Sequence, residues 1–242
     1  MKWLRQLSIT FLIVLIQLLT AQEIKQISED LEIKQISDHC YIHISYHDLE
    51  NAPHFPANGL VYINQGKAYI VDTPWTNELT DLLIQYLQDT MKVSVECVIP
   101  AHWHEDCMGG LELVHNMGIK SYAYQLTAEI CKEKNLPIPK ITFQDSLIIG
   151  SENELLLKYL GPGHTEDNIV VYIPSEKILF AGCMAKALNW NSLGFTGDAN
   201  VPKWPETLRK VLYTFPEAKI VIPGHGDFSG INILKHTLSL FK

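Results

Sequence analysis

Four apolar runs in this chain each stop at a histidine or a cysteine. "VSVECVIPA" ends at His102, "NELLLKYLGPG" at His164, "KILFAG" at Cys183 and "AKIVIPG" at His225. Runs of this length and composition read as buried strands. In α/β folds the loops leaving strand ends gather ligands. Four such ends carrying metal-type side chains therefore restrict the chain to folds that bring those ends together. Glycine sits beside three of them (Gly163, Gly182, and Gly224 with Gly226) and lets the backbone turn sharply or approach a ligand closely.

The first of these ends continues as "HWHEDCMGG", with His102, His104 and Asp106 on alternate positions. A His-x-His step in extended backbone sends both imidazoles to one side. Asp106 can return to the same centre, although the glycines beyond it imply that the chain is already turning. Six candidate ligands exceed the four of a structural zinc site. They divide into three imidazoles (His102, His104, His164) and a carboxylate, thiolate and imidazole (Asp106, Cys183, His225). Three protein ligands per ion leave a coordination position open, which is the mark of a catalytic site. Mixed imidazole, thiolate and carboxylate donors suit zinc. His39, His43, His47, His115 and His236 read as ordinary histidines, and Cys40, Cys97 and Cys131 as small buried hydrophobes.

The remaining chain alternates strands and helices. "GLVYINQGKAYIVDT" predicts a hairpin turning at Asn64–Lys67. Leu79, Leu82, Leu83, Tyr86 and Leu87 recur at helical spacing. "GGLELVHNMG" predicts a short helix stopped by Gly118. Pro205 and Glu206 suit the first turn of a helix ending near Phe215, and a last helix is expected to start at Ser229. The hexapeptide EIKQIS occurs at Glu23–Ser28 and again at Glu32–Ser37. The second copy reads as a strand and the first as a loose tail. The pattern is α/β with mixed sheets.

Composition narrows the partners. The net charge of −8 over 242 residues excludes a phosphate-binding surface of clustered Lys and Arg, so no nucleic-acid partner is expected. Lys2 and Arg5 precede an apolar run from Leu7 to Leu19, and Thr20-Ala21 then leads into polar sequence. This has the form of a secretory signal peptide over residues 1–21, with one domain over residues 22–242. The run is too short to favour a permanent span. Export to the periplasm, with no stable membrane association after cleavage, is expected. Five cysteines, odd in number and widely spaced, do not form a disulfide framework.

"HWHED", "GHT", "AGCMAK" and "PGHG", with "VDTPW" upstream, resemble the metallo-β-lactamase superfamily from about Glu32 onward. Cys107 directly after the Asp, and Cys183 where other branches carry a bridging Asp, are similar to the subclass B1 metallo-β-lactamases within class B. Those cysteines argue against a thioesterase or lactonase on the same fold. Lys186 beside the site argues against a non-catalytic zinc-binding protein.

The resemblance implies an αββα sandwich: two mixed sheets face to face, helices outside and the metal site at one edge. It implies two Zn2+ ions per chain, the first on His102, His104 and His164, the second on Asp106, Cys183 and His225. Asp72 in "VDTPW" matches an Asp beneath the site that anchors the metal loops. Lys186 matches a lysine that binds the substrate's carboxylate, and with Asp106 it is expected to be catalytic. The implied reaction is hydrolysis of the β-lactam amide of penicillins, cephalosporins and carbapenems by a metal-bound hydroxide, without a covalent acyl-enzyme and by a monomer. The segment Tyr46–Ala57 matches a hairpin that covers substrate, where Phe55 would give an apolar contact. The chain departs from its relatives at Phe195, where many carry an Asn that helps bind the carbonyl. Phe cannot donate a hydrogen bond, which leaves zinc, Asn189 or Asn191 for that task.

Overall fold

The computed structural model describes residues 24–150 and 154–241. The expected signal peptide lies outside them. No described helix is long and apolar enough to cross a membrane.

The larger sheet has eight strands in chain order: β1 (Ile24–Ser28), β2 (Leu31–Gln35), β3 (Cys40–Leu49), β4 (Ala52–Asn64), β5 (Lys67–Val71), β6 (Ser94–Ile99), β7 (Lys120–Tyr124) and β8 (Ile141–Phe143). Its first five strands are antiparallel and its last pairings are parallel. The β4–β5 turn explains the hairpin: Gln65 (φ 49°) and Gly66 (φ 75°) are both left-handed, the geometry whose twist matches antiparallel strands. The smaller sheet has five strands: β9 (Ser146–Ile149), β10 (Leu155–Tyr159), β11 (Ile169–Ile173), β12 (Ile178–Gly182) and β13 (Ile220–Pro223). Only β12 and β13 run parallel within it.

Alternate residues of the two sheets meet in a shared core. Ile42, Leu60, Val71 and Ile99 of the larger sheet pack with Leu157, Val171, Phe180 and Ile222 of the smaller. The outer face of the larger sheet is covered by α1 (Asn77–Gln85), α3 (Leu111–Asn116) and α4 (Gln125–Glu133), whose Leu83, Ile84, Leu111, Val114 and Cys131 are buried in one cluster with Val61, Ile70 and Val98. The outer face of the smaller sheet is covered by α5 (Trp204–Thr214) and α6 (Asn232–Ser239) through Trp204, Leu208, Val211, Ile233 and Leu234. The layers are therefore αββα. Thr76 caps α1 by accepting from the Leu79 amide at 3.3 Å, and a π-helical turn, Tyr86–Thr90, extends it.

Two expectations are corrected. The first EIKQIS copy is strand β1, not a tail: Ile24, Lys25 and Gln26 pair with Lys34, Ile33 and Glu32 of the second copy. The last helix begins at Asn232, not Ser229, because Ser229 is drawn into a bridge with Val221 through hydrogen bonds of 2.7 and 3.2 Å.

Candidate metal centre

The ligand types lie just past the strand ends. β6 delivers His102, and the chain bends through His104 (ψ 159°, still extended) into α2 (Glu105–Met108), which places Asp106 in its first turn. The loop after β10 carries His164. Parallel pairing of Gly182 with Pro223 sets Cys183 beside the His225 loop. Gly224 is required there, since a Cβ on it would lie 2.3 Å from Cys183 Sγ.

Six side chains form two adjoining trios. His104 Nδ1 lies 3.1 Å from His102 Nε2 and 3.2 Å from His164 Nε2. Asp106 Oδ2 lies 3.2 Å from Cys183 Sγ and 3.3 Å from His225 Nε2, and those two atoms are 3.3 Å apart. Asp106 Oδ1 reaches to 3.7 Å from His102 Nε2 and joins the trios. All but His104 and His225 are buried.

The donor chemistry fits metal ions. Donors about 2.0–2.3 Å from a tetrahedral ion are about 3.3–3.7 Å from one another, close to the spacing within each trio. Burial holds the His102 pKa down to about 3 and that of His164 well below its usual range, so these nitrogens keep their lone pairs. In the second trio Cys183 is pulled below the usual thiol range, chiefly by the neighbouring Cys107 thiol, with the His225 imidazole adding to it. Burial alone would raise Asp106, but His225 and His102 hold it well below the carboxylate range. Burial would likewise lower His225, yet the Cys183 and Asp106 charges lift it well above an ordinary imidazole. A metal cation at this trio would satisfy the same carboxylate and thiol.

Groups behind the ligands orient them. Asp72 Oδ1 accepts from the Ala101 amide at 2.6 Å, and Cys107 donates to Oδ2 at 3.1 Å. Cys107 Sγ also lies 3.1 Å from His102 Nδ1. His104 Nε2 meets Asp198 Oδ2 at 3.1 Å, and His225 Nδ1 donates to the Pro56 carbonyl at 2.7 Å. These contacts hold the ring angles of His102, His104 and His225. Asp198 and the Cys107 relay escaped the sequence reading. His43, read as ordinary, is buried beneath the site with Nε2 at 3.0 Å from the Asp72 carbonyl oxygen.

The expected substrate side lies around the second trio. Lys186 is 4% exposed. Phe55 is half-buried in the β3–β4 ribbon, its ring 4.9 Å from that of His225. Asn189 and Asn191 are both exposed on the loop after Cys183, with Asn189 Oδ1 near Gly226. Phe195 is 64% exposed and its ring stands 5.9 Å from that of His104.

The family model described as the metallo-beta-lactamase superfamily matches residues 52–225. The chain belongs to the metallo-β-lactamase superfamily. It is 43% identical to a metallo-beta-lactamase type 2 of Bacteroides fragilis over 218 residues, covering 90% of this chain and 88% of that protein. A Pseudomonas aeruginosa protein of the same name is 31% identical, covering 86% of this chain and 83% of its own length. Among solved structures, VMB-1 superposes with a TM-score of 0.86 at 39% identity, covering 88% of this chain and 97% of that one. A metallo-beta-lactamase from Pontibacter korlensis gives 0.84 at 36% identity, covering 87% and 98%. The matches support class B within the superfamily.

Phe195 allows a first test in this metallo-β-lactamase frame. An exposed ring beside His104 offers no polar group to a transition state. Phe195→Ala is expected to change kcat by less than about tenfold. A loss of a hundredfold with metal content intact would mean that the ring positions substrate.

Proposed function

We propose that this protein hydrolyses the β-lactam amide of penicillins, cephalosporins and carbapenems with two zinc ions. His102, His104 and His164 would hold one ion, and Asp106, Cys183 and His225 the other. The observation that carries this reading is the pair of adjoining trios spaced at 3.1–3.3 Å, one of three imidazoles and one of carboxylate, thiol and imidazole. Zinc bound in such a site supplies a Lewis acid and makes water nucleophilic at neutral pH.

The chain's own groups do the rest. Asp106 Oδ1 is the carboxylate oxygen turned toward the imidazole trio, and it accepts a hydrogen bond from the attacking water, holding it in place. The Lys186 ammonium receives the carboxylate beside the lactam nitrogen. Phe55, at the rim over His225, supplies an apolar contact that excludes water. Asn189 and Asn191 stand on the exposed loop after Cys183, where an amide can reach a bound substrate's polar groups. The apolar run at Leu7–Leu19 supports export to the periplasm through a cleaved signal peptide. After cleavage the mature chain would act as a monomer without stable membrane association.

The test is hydrolysis of one penicillin, one cephalosporin and one carbapenem by the purified mature chain. Activity is expected to vanish in chelator and return with added zinc. Turnover that survives complete metal removal would overturn the reading.

A further inference from the structure

Lys186 poses a problem of its own. A lysine this buried ordinarily has a carboxylate partner. None pairs with Lys186 among the described residues, and the anionic groups acting on it are Cys183 and Asp106. Two indoles stand there instead, with the ammonium 5.7 Å from the ring centroid of Trp190 and 5.4 Å from that of Trp204. Both distances are within reach of a cation–π interaction.

The two rings are held differently. Trp204 is fully buried, with Nε1 donating to the Met184 carbonyl at 2.9 Å and its ring packed on His164 and Phe241. Trp190 is half-buried. Its amide donates to the Ala187 carbonyl at 3.0 Å, and its carbonyl accepts from His236 Nε2 at 2.9 Å. The loop closes over both groups at Gly194, where a Cβ would lie 3.2 Å from the Trp190 ring and 3.9 Å from Lys186 Nζ. At the stem, the Lys186 amide donates to Thr237 Oγ1 at 2.8 Å.

We propose that Trp190 is a positioning residue that, with Trp204, cages the Lys186 ammonium so that it meets the substrate's carboxylate already in place. A carboxylate partner would fix the ammonium equally well but would compete with the substrate for its charge. Aromatic faces hold the cation and leave that charge available. The inference rests on the carboxylate-binding role of Lys186. The Trp190 ring also stacks on His225 at 6.1 Å and 18°, which offers a rival role in supporting a metal ligand.

The experiment compares Trp190→Ala, Trp190→Phe, Lys186→Ala and the Trp190→Ala/Lys186→Ala double variant in the zinc-loaded mature chain. One substrate is an anionic cephalosporin and the other its ester-blocked counterpart. Trp190→Ala is expected to raise KM for the anion about five- to twentyfold, with kcat within about threefold and zinc content unchanged. Trp190→Phe keeps a ring face and recovers most of that loss. In the Lys186→Ala background, Trp190→Ala should add less than about twofold, and KM for the ester should respond to neither change. Effects that multiply in the double variant overturn the cage. So does a fall in zinc content or kcat with KM intact, which would assign the ring to His225. If Lys186→Ala leaves KM at the wild-type value, the carboxylate role of Lys186 fails, and the cage fails with it. If Lys186→Ala raises KM and Trp190→Ala does not, the cage alone fails.

Discussion

Asp106→Asn is expected to lower kcat/KM by about a hundred- to a thousandfold, comparable to removing a group that acts directly on the transition state. The carboxylate is shared. Oδ2 lies 3.2 Å from Cys183 Sγ and 3.3 Å from His225 Nε2, while Oδ1 faces His102 at 3.7 Å. Asparagine preserves the shape but removes the charge and turns one oxygen into an N–H donor. The second trio then loses one of its two anionic donors, and the proposed water loses its acceptor. Zinc content should fall from two ions toward one per chain at limiting metal, while the imidazole trio keeps its ion. Thermal unfolding of the chelated protein separates this from misfolding, because the side chain lies at the site and not in the shared core. Two tightly held ions with near-normal turnover in the variant would remove Asp106 from both roles.

The cluster of six side chains was legible because its members follow the same strands that build the core. A strand buried on both faces reads as a continuous apolar run, so β12, β13 and the buried second half of β6 stand out, and the chemistry changes just past each run. Register then does the assembly. Parallel pairing of β12 and β13 brings Cys183 to His225 across 42 residues. Asp198 illustrates the opposite case. It lies in an exposed loop with no periodicity and meets His104 across 94 residues, a contact that only the folded chain creates. Trp190 and Trp204 are similar: nothing local says that two indoles 14 positions apart flank one lysine.

The misread elements have physical causes. β1 is an edge strand, exposed along most of its length, so it carries no burial alternation to distinguish it from a tail. Its pairing comes from the second EIKQIS copy across a tight turn. β7, β8 and β9 passed unnoticed because they are short and partly exposed, with Ile141 and Ile148 facing solvent. Ser229 looks like a helix cap in sequence, but the bridge with Val221 takes up its backbone N–H and carbonyl, and the helix starts three residues later.

Asp72→Ala is expected to weaken both the fold and the metal centre. Burial pushes the Asp72 carboxyl well above its usual range, yet the group is kept because it staples three segments. It accepts from the Ala101 amide ahead of His102 and from Cys107 on α2, and its own amide donates to the Ile99 carbonyl at the end of β6. Alanine leaves two buried donors without an acceptor, at about 1–3 kcal/mol each. The backbone adds to this, since Asp72 sits at φ 61°, where Asp is better tolerated than Ala. Together these costs amount to about 3 kcal/mol, a fall in Tm of about 6–12 °C for a domain of this size. Through the Cys107–His102 contact, zinc affinity of the imidazole trio should also weaken about ten- to a hundredfold. Two further variants divide the causes. Asp72→Asn keeps an acceptor and should be the mildest, while Asp72→Gly relieves the backbone but not the lost hydrogen bonds and should fall between. Thermal unfolding in chelator and competitive zinc titration measure the two effects separately. An Ala variant that melts with the wild type and binds zinc equally well would show that the metal loops stand without this carboxylate.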